Sequence, residues 1–477
     1  MSGSERHEVV VVGAGPAGIR AAVEARAAGA EVLVLDEAPR AGGQIYRQLP
    51  PELRPQAHDP LGSSRRKSRP LFADIERSGA TVSSGVEVWG VLPGRVLLVN
   101  RGGRAAVIEA GALVLAAGAY DRPAAMPGWT LPGVVTAGGV TALVKAQRVL
   151  PGRRVLLAGT GPLLLAAATA LVHGGARIVG IAEAAARRAL LGLLRRPGIV
   201  SQTLEVMRAL WRTPVWTRTG LVRIEGTDGV ERAVLARLDR DWRPVAGTER
   251  AVDCDTVVLG YGLVPSPELA DLAGCTLAYD VGRGGWVPTA DPERLMATSA
   301  PGVFVAGDGA GIGGADVAEH EGRLAGLGAA LHVGRLDPAR ARAAAEPALR
   351  ALRRFARFRQ TLGHVLAPRA GLYALVTDDT IVCRCEEVSG AEVRVAIEEG
   401  AHHVTEVRAV TRAGMGLCQG RFCVPTVAGL VERWARVPVQ AAGRLPPRIP
   451  ARPVPVTVLS DPALDVVAAP AVEAVRR

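Results

Sequence analysis

The same local order occurs twice in the chain: a β-branched run, a glycine turn, an apolar helix, and a second strand that ends in an acid. In the first copy Glu8 to Val12 reads as a strand, GAGPAG at Gly13 to Gly18 as a turn, IRAAVEARAAG as a helix stopped by Gly29, and EVLVLDE as the next strand. Gly13 permits the tight turn and Gly15 lets the backbone approach a pyrophosphate. Gly18 lets the helix pack close, with its N-terminal amides facing the phosphates. Glu37, ahead of Asp36, is expected to take the ribose hydroxyls. The second copy runs from Arg153 to Ala184, with Gly159 and Gly161 in the first two glycine positions, Leu164 in place of the third, and Glu183 ending the following strand. Leu164 would hold the helix farther from the turn, and Glu183 would repel a 2′-phosphate, which disfavours NADP. Two readings stay open here: a working adenine-nucleotide site, NAD or ATP-like, or a structural relic.

Two such units in 477 residues that are 48% hydrophobic leave room for further domains, each with its own core. A net charge of +11 would by itself suggest a polyanionic partner. Lys67 and Lys145 are the only lysines, however, so scattered arginine carries the charge, and with 4% aromatics no basic-aromatic stripe forms. Nucleic acid is not an expected partner. The stretch MSGSERHEVVVV lacks the apolar core and small-residue cleavage site of a signal peptide, and GTGP interrupts the uncharged run from Val155 to Ala176. The expectation is a cytoplasmic protein without a transmembrane segment.

Of six cysteines, four lie between 383 and 423, which leaves Cys254 and Cys275 as isolated buried thiols. No cysteine precedes Cys254, so the redox pair that a disulfide reductase keeps beside its flavin is absent. The grouped thiols read Cys383-x-Cys385, thirty-two residues, then Cys418-x4-Cys423. Between them SGAEVRVAIEEG has Ser389 and Glu392 in capping-box spacing, puts Val393, Ala396 and Ile397 on one face, and stops at Gly400. A second short helix is expected at roughly Glu406 to Thr411. Zinc favours wider pairs than Cys-x-Cys, and disulfides fit poorly with a reducing compartment. A [2Fe-2S] cluster needs four thiolates on two irons. His402 and His403 could replace a ligand but are expected at the surface. His320 could shuttle a proton near a flavin or be a capped surface residue.

RAGGQIYR (Arg40 to Arg47), LVLAAGA (Leu113 to Ala119) and TSAPGVFVAGDGAGIGGAD (Thr298 to Asp316) resemble the further FAD-contact segments of the two-dinucleotide-domain flavoproteins. The resemblance implies FAD contacts at Gly43, Gln44, Gly118 and Gly307, with Asp308 on the ribityl chain. CRCEEV and RAGMGLCQGRFC resemble the bacterioferritin-associated ferredoxin type of [2Fe-2S] domain, which implies Cys383, Cys385, Cys418 and Cys423 as ligands. That domain more often ends in Cys-x2-Cys, so the x4 spacing is a departure. With PGWTLPGVVTAGG (Pro127 to Gly139), the whole pattern resembles the FAD and [2Fe-2S] subunit family of opine oxidases, hydrogen cyanide synthase and D-hydroxyproline dehydrogenase. What the resemblance implies is an electron-transfer subunit of an amine or amino-acid dehydrogenase. A second flavoprotein subunit would carry the amine-oxidising site, and a small ferredoxin-like subunit could join.

The alternative is a self-sufficient NADH-dependent reductase using the Gly159 turn. The fold class expected is α/β: two Rossmann-like dinucleotide-binding domains and a small helical cluster domain. An FAD domain is expected at 1–148 and 256–335, a second nucleotide domain at 149–255, and a helical connector with a solvated Arg-rich face at 336–372. The cluster domain is expected at 373–437, with a Pro-rich tail at 438–477 extended along the body or a partner.

Overall fold

The computed structural model describes residues 4–49, 62–193, 206, 208–465 and 467. Strand β1 (Glu5–Val12) lies at the centre of the first sheet, flanked in parallel by β2 (Val32–Asp36) and β6 (Arg104–Leu115). β3 (Thr81–Ser84) pairs with β2, while β5 (Val96–Arg101) and β4 (Val86–Leu92) continue antiparallel from β6. The run Val9 to Val12 is buried because both faces of a parallel sheet are covered. Helix α1 (Pro16–Ala27) covers one face and packs against α2 (Gly62–Ser78). A helix at Ala315–His332 also packs on α1, and the strand Val303–Val305 leading toward it pairs with β6.

The seam between α1 and helix Ala315–His332 is made of backbone. A side chain on Gly322 would come within 2.1 Å of the Ala17 carbonyl oxygen, and one on Gly326 within 2.3 Å of that of Ala21. The two helix N-termini are thereby held in a fixed relation on one side of the sheet.

The second sheet has the order Val215–Thr217, Arg177–Glu183, Arg154–Gly159, Thr256–Gly260, Val134–Thr136, all parallel. This moves the expected domain borders. Val134–Thr136 and the helix after it, α3 (Ala137–Ala142), lie in the second nucleotide domain rather than the first, as does Thr256–Gly260. The reason is pairing: Val155 to Ala158 form a central strand that needs a parallel neighbour on each side, and TVVLG supplies the second one. Helix α4 (Pro162–His173) starts from the second glycine turn.

The connector is one helix, Pro338–Leu366, capped by the Asp337 carboxylate on the Arg340 amide at 2.9 Å. Its arginines are not all solvated as expected, since Arg359 reaches the fully buried Glu321 at 3.2 Å. In the cluster domain, Ser389 and Glu392 form the expected reciprocal cap on helix Gly390–Glu398, and the next helix spans Val404–Thr411. The tail returns along the first sheet. The Ala451 amide donates to the Trp89 carbonyl at 2.7 Å, and Val458 is buried with Trp89, Leu98 and Val107. Residues 466 and 468–477 of the tail lie outside the described residues.

Candidate functional site

Four segments far apart in sequence converge at the C-terminal end of the first sheet. The Gly13 amide bonds the Leu35 carbonyl at 2.7 Å, and a side chain on Gly13 would meet the Ala116 carbonyl at 2.4 Å. The Gly42 amide bonds the Ala14 carbonyl at 2.8 Å, which sets Gly43 against Gly15. A Cβ on Gly43 would lie 2.9 Å from the Gly15 Cα. One on Gly309 would lie 3.2 Å from the Gly118 nitrogen, and one on Gly307 would lie 2.9 Å from the Ala17 Cβ. Gly18 sits against the turn itself, 1.8 Å from the Gly13 oxygen by the same measure. Gly13, Gly15, Gly18, Gly43, Gly118 and Gly307 therefore share one cradle, with the N-terminus of α1 opening into it. Gln44 is at the exposed margin, its side-chain oxygen held by Arg47 Nε at 3.1 Å.

The space beyond Gly15 leaves room for a pyrophosphate. A Cβ there would meet nothing closer than the Gly43 Cα at 3.8 Å, and Gly15 has an ordinary φ of −75°. Small residues thus line both sides of a gap at a helix N-terminus, which fits the pyrophosphate of FAD. Asp308 lies in the loop before Gly314, its Oδ1 accepting from the Gly313 and Gly314 amides at 3.0 and 3.1 Å. That fixes the carboxylate at the N-terminus of helix Ala315–His332, where the resemblance expected a ribityl contact.

The preference between the two acids of EVLVLDE shifts. Asp36, not Glu37, is the last strand residue; it is buried and accepts from the Ala14 and Ala38 amides, whereas Glu37 is exposed. Burial raises the Asp36 pKa, against those two bonds. Glu183 is its counterpart in the second unit, accepting from Gly161 at 3.0 Å and Ala185 at 2.8 Å, with its pKa also raised by burial. Glu37 is one position past the strand, where side chains turn outward.

The second turn differs from the first in one respect. A Cβ on Gly161 would strike Leu366 Cδ2 at 2.4 Å, and the Thr160 hydroxyl lies 3.4 Å from the Val365 carbonyl oxygen. Thr160 and Gly161 are buried under the C-terminal end of the connector helix. The gap that stays open at Gly15 is filled by Leu366 at Gly161, and the carbonyl end of the connector helix stands opposite the N-terminus of α4, where it opposes a phosphate. The residues around Gly159, Gly161 and Glu183 do not fit a bound adenine nucleotide in this arrangement.

Sequence reasoning missed Glu321. It is 1% exposed, accepts from the Gly307 amide at 3.0 Å, and so braces the flavin loop from below. Burial pushes its pKa up to about 7, against the opposing pull of Arg359. An acid in the interior of an otherwise alanine- and glycine-rich helix was the available signal. His320 beside it is half-buried against the Phe355 ring, and burial followed by Arg323 lowers its pKa.

The four grouped thiols come together as two pairs. Cys385 and Cys418 have their sulfurs 3.9 Å apart, and Cys383 is hydrogen-bonded to Cys423. That bond, with backbone amides of Gly414, Glu386 and Cys385, lowers the Cys383 pKa to about 5, while the Cys423 thiol is pushed up. Two pairs on two facing loops match two irons with two thiolates each, and amides aimed at sulfur favour the thiolate. Among the described residues, no three His, Cys, Asp or Glu side chains gather as for a single metal ion. The approach of the loops is tight: a Cβ on Gly416 would lie 2.1 Å from that of Cys385. The ring of His403 is spent on capping, accepting from the Thr405 amide, and the His402 and His403 amides both bond Glu406.

Residues 7–322 match the family described as Pyridine nucleotide-disulphide oxidoreductase, and residues 381–433 match the BFD-like [2Fe-2S] binding domain. The chain belongs to that oxidoreductase family. An opine oxidase subunit of Rhizobium meliloti is 36% identical over 463 residues, spanning 94% of this chain and 86% of the relative. Hydrogen cyanide synthase subunit HcnB of Pseudomonas aeruginosa is 32% identical, spanning 94% and 97%. The crystal structure of L-proline dehydrogenase from P. horikoshii superposes with a TM-score of 0.67 at 21% identity, covering 96% of this chain and 81% of that one. The chain is a flavoprotein of this fold, with FAD and a [2Fe-2S] cluster as its cofactors. No described helix is long and apolar enough to cross a membrane.

Two variants separate the cofactors. Gly15→Val would place its Cβ in ordinary contact with the Gly43 Cα at 3.8 Å, so it is expected to fold, retain two irons per chain and lose FAD; full flavin content measured by absorbance would place the pyrophosphate elsewhere. Cys418→Ser is expected to lose the cluster and keep FAD, and two irons per chain by metal analysis would overturn the ligand assignment.

Glu321 also predicts a pH dependence. Its folded pKa, about 7, exceeds its ordinary value of 4.5, so its contribution to stability is complete at low pH and is lost as pH rises between those two values. The loss is roughly 3 kcal/mol. Unfolding measured across that window is expected to show a steeper decline in the native protein than in Glu321→Gln, where Asp36 and Glu183, also raised by burial, still contribute; parallel curves would refute it.

Proposed function

We propose that this chain is the electron-transferring subunit of a heteromeric amine or amino-acid dehydrogenase, of the opine oxidase or D-hydroxyproline dehydrogenase type. Its partner would be a second flavoprotein subunit that holds the amine-oxidising site, and a small ferredoxin-like subunit would fit the same assembly. The observation that carries the reading is the joining of an open flavin cradle to a four-thiol centre in one chain whose long relatives are named as subunits. When bound, FAD exchanges electrons in pairs or singly and the cluster exchanges them singly, which suits a relay between a two-electron oxidation and a one-electron acceptor.

The chain's own residues support that division of labour. The cradle residues bind and orient the dinucleotide, while Asp308 and the following helix end set the electrostatics beside its ribityl and ring region. On the cluster side, the Gly414 and Glu386 amides stabilise the Cys383 thiolate, and Trp129 anchors the cluster domain to the flavoprotein body by donating to the Ile381 carbonyl at 2.6 Å. Leu366 over Gly161 weighs against the rival reading, an NADH-dependent reductase, because that enzyme needs the second turn accessible.

Purified alone and verified free of partner, the protein is expected to leave its flavin oxidised under anaerobic exposure to opines, hydroxyproline, proline, glycine, sarcosine or NADH. With the partner flavoprotein and the right amine, both flavin and cluster absorbance should bleach in a stopped-flow trace. Rapid bleaching of the lone protein by an amine would place the amine site in this chain. Rapid bleaching by NADH would restore the reductase.

A further inference from the structure

A cavity of about 440 Å³ lies between the flavoprotein body and the cluster loop. One wall is Tyr120, Arg122 and Trp286; the other includes Arg408, Gly414 and Arg421. None of the nucleotide-cradle glycines lines it.

Its charge is unbalanced. Arg421 pairs with Glu268 at 3.1 Å and Arg444 with Asp271, which accounts for both acids in the lining. Arg122 and Arg408 have no acidic partner among the described residues. Arg122 is 7% exposed, and its Nη2 is held by the Gly284 carbonyl at 2.7 Å. Its Nε is buried with nothing to donate to, and the same is true of Arg408 Nε. Five arginines, Arg122, Arg408, Arg421, Arg444 and Arg448, thus line the cavity against two acids, and a guanidinium left without a carboxylate is a ready partner for an oxyanion. The aromatic surfaces of Tyr120, Tyr279 and Trp286 offer an apolar bed for the remainder of a small molecule, and the volume is in the range of ligand pockets.

We propose that this interdomain cavity binds a small organic anion, its acid group held by Arg122 and Arg408 and its carbon body resting on the aromatic wall. Carboxylate and phosphate both match a guanidinium fork, and the ligand carries one of them. A ligand there would bridge the two domains, since Arg122 belongs to the body and Arg408 to the helix preceding the cluster loop.

The test is calorimetric titration of the full chain, loaded with FAD and cluster, against succinate, inorganic phosphate and the neutral succinamide. Saturable binding of succinate or phosphate, without binding of succinamide, is expected. Arg408→Gln should weaken it by about tenfold or more, the scale of a lost charge-assisted bond, at unchanged flavin and iron content. Succinate alone binding identifies a carboxylate ligand, and phosphate alone a phosphate ester. If Arg408→Gln fails to load iron, Arg408→Lys, which keeps the charge and loses the fork, is expected to weaken binding too. Absence of saturable binding by either anion at millimolar concentration, equal binding of succinamide, or affinity unchanged in the folded variant would overturn the proposal.

Discussion

The cofactor geometry rests on the backbone contact between α1 and helix Ala315–His332. Gly322 and Gly326 lie against Ala17 and Ala21 with no side chain between. One helix end then faces the gap beside Gly15, and the other begins just after Asp308. A gap of even one methyl group would separate these two positive helix ends and open the first sheet at the place where the loops converge. Glu321 is the polar component of the same seam: it can be buried there because the Gly307 amide and Arg359 satisfy it. The connector is therefore part of the flavin domain's support, although it follows that domain in sequence.

The same connector explains why two similar glycine turns differ. Both end their second strand in an acid that accepts amides from the turn, so both are built by the same local rule. The difference arises from the end of a helix some two hundred residues later. Leu366 enters where a phosphate would stand, and its neighbour Val365 offers a carbonyl to Thr160. Tertiary placement thus bears on two open readings that the turn itself left equal, and Leu366 at Gly161 weighs toward a scaffold role for the second domain.

Features with a local physical cause were legible from the sequence. Ser389 and Glu392 cap their helix as spaced, Gly13 to Gly18 form the turn, and the four thiols that the resemblance grouped into one small domain do meet there. What failed depends on long-range partners. TVVLG at 256–260 carries no local mark of the sheet it joins, since a buried parallel strand reads the same in either domain. Glu37 and Asp36 are adjacent, and only the strand's end decides which one points to the turn. The Arg122 and Arg408 cavity could not be read at all, because its two walls are almost three hundred residues apart.

The large positive charge takes on a different meaning in this light. Much of it is absorbed in fixed geometry: Arg20 bridges Asp74 and Glu319, Arg323 pairs with Glu24, and Arg26 bonds the carbonyls of Ala30 and Ser78. A guanidinium can hold two partners in one plane, so arginine in place of lysine ties helices to strands and to one another. Against that background of paired arginines, a buried arginine with an unused donor is the exception. In the cavity beside the cluster loop there are two such exceptions that no acid in the lining balances, and that contrast, rather than the net charge, points to a small anion and away from a polyanionic surface partner.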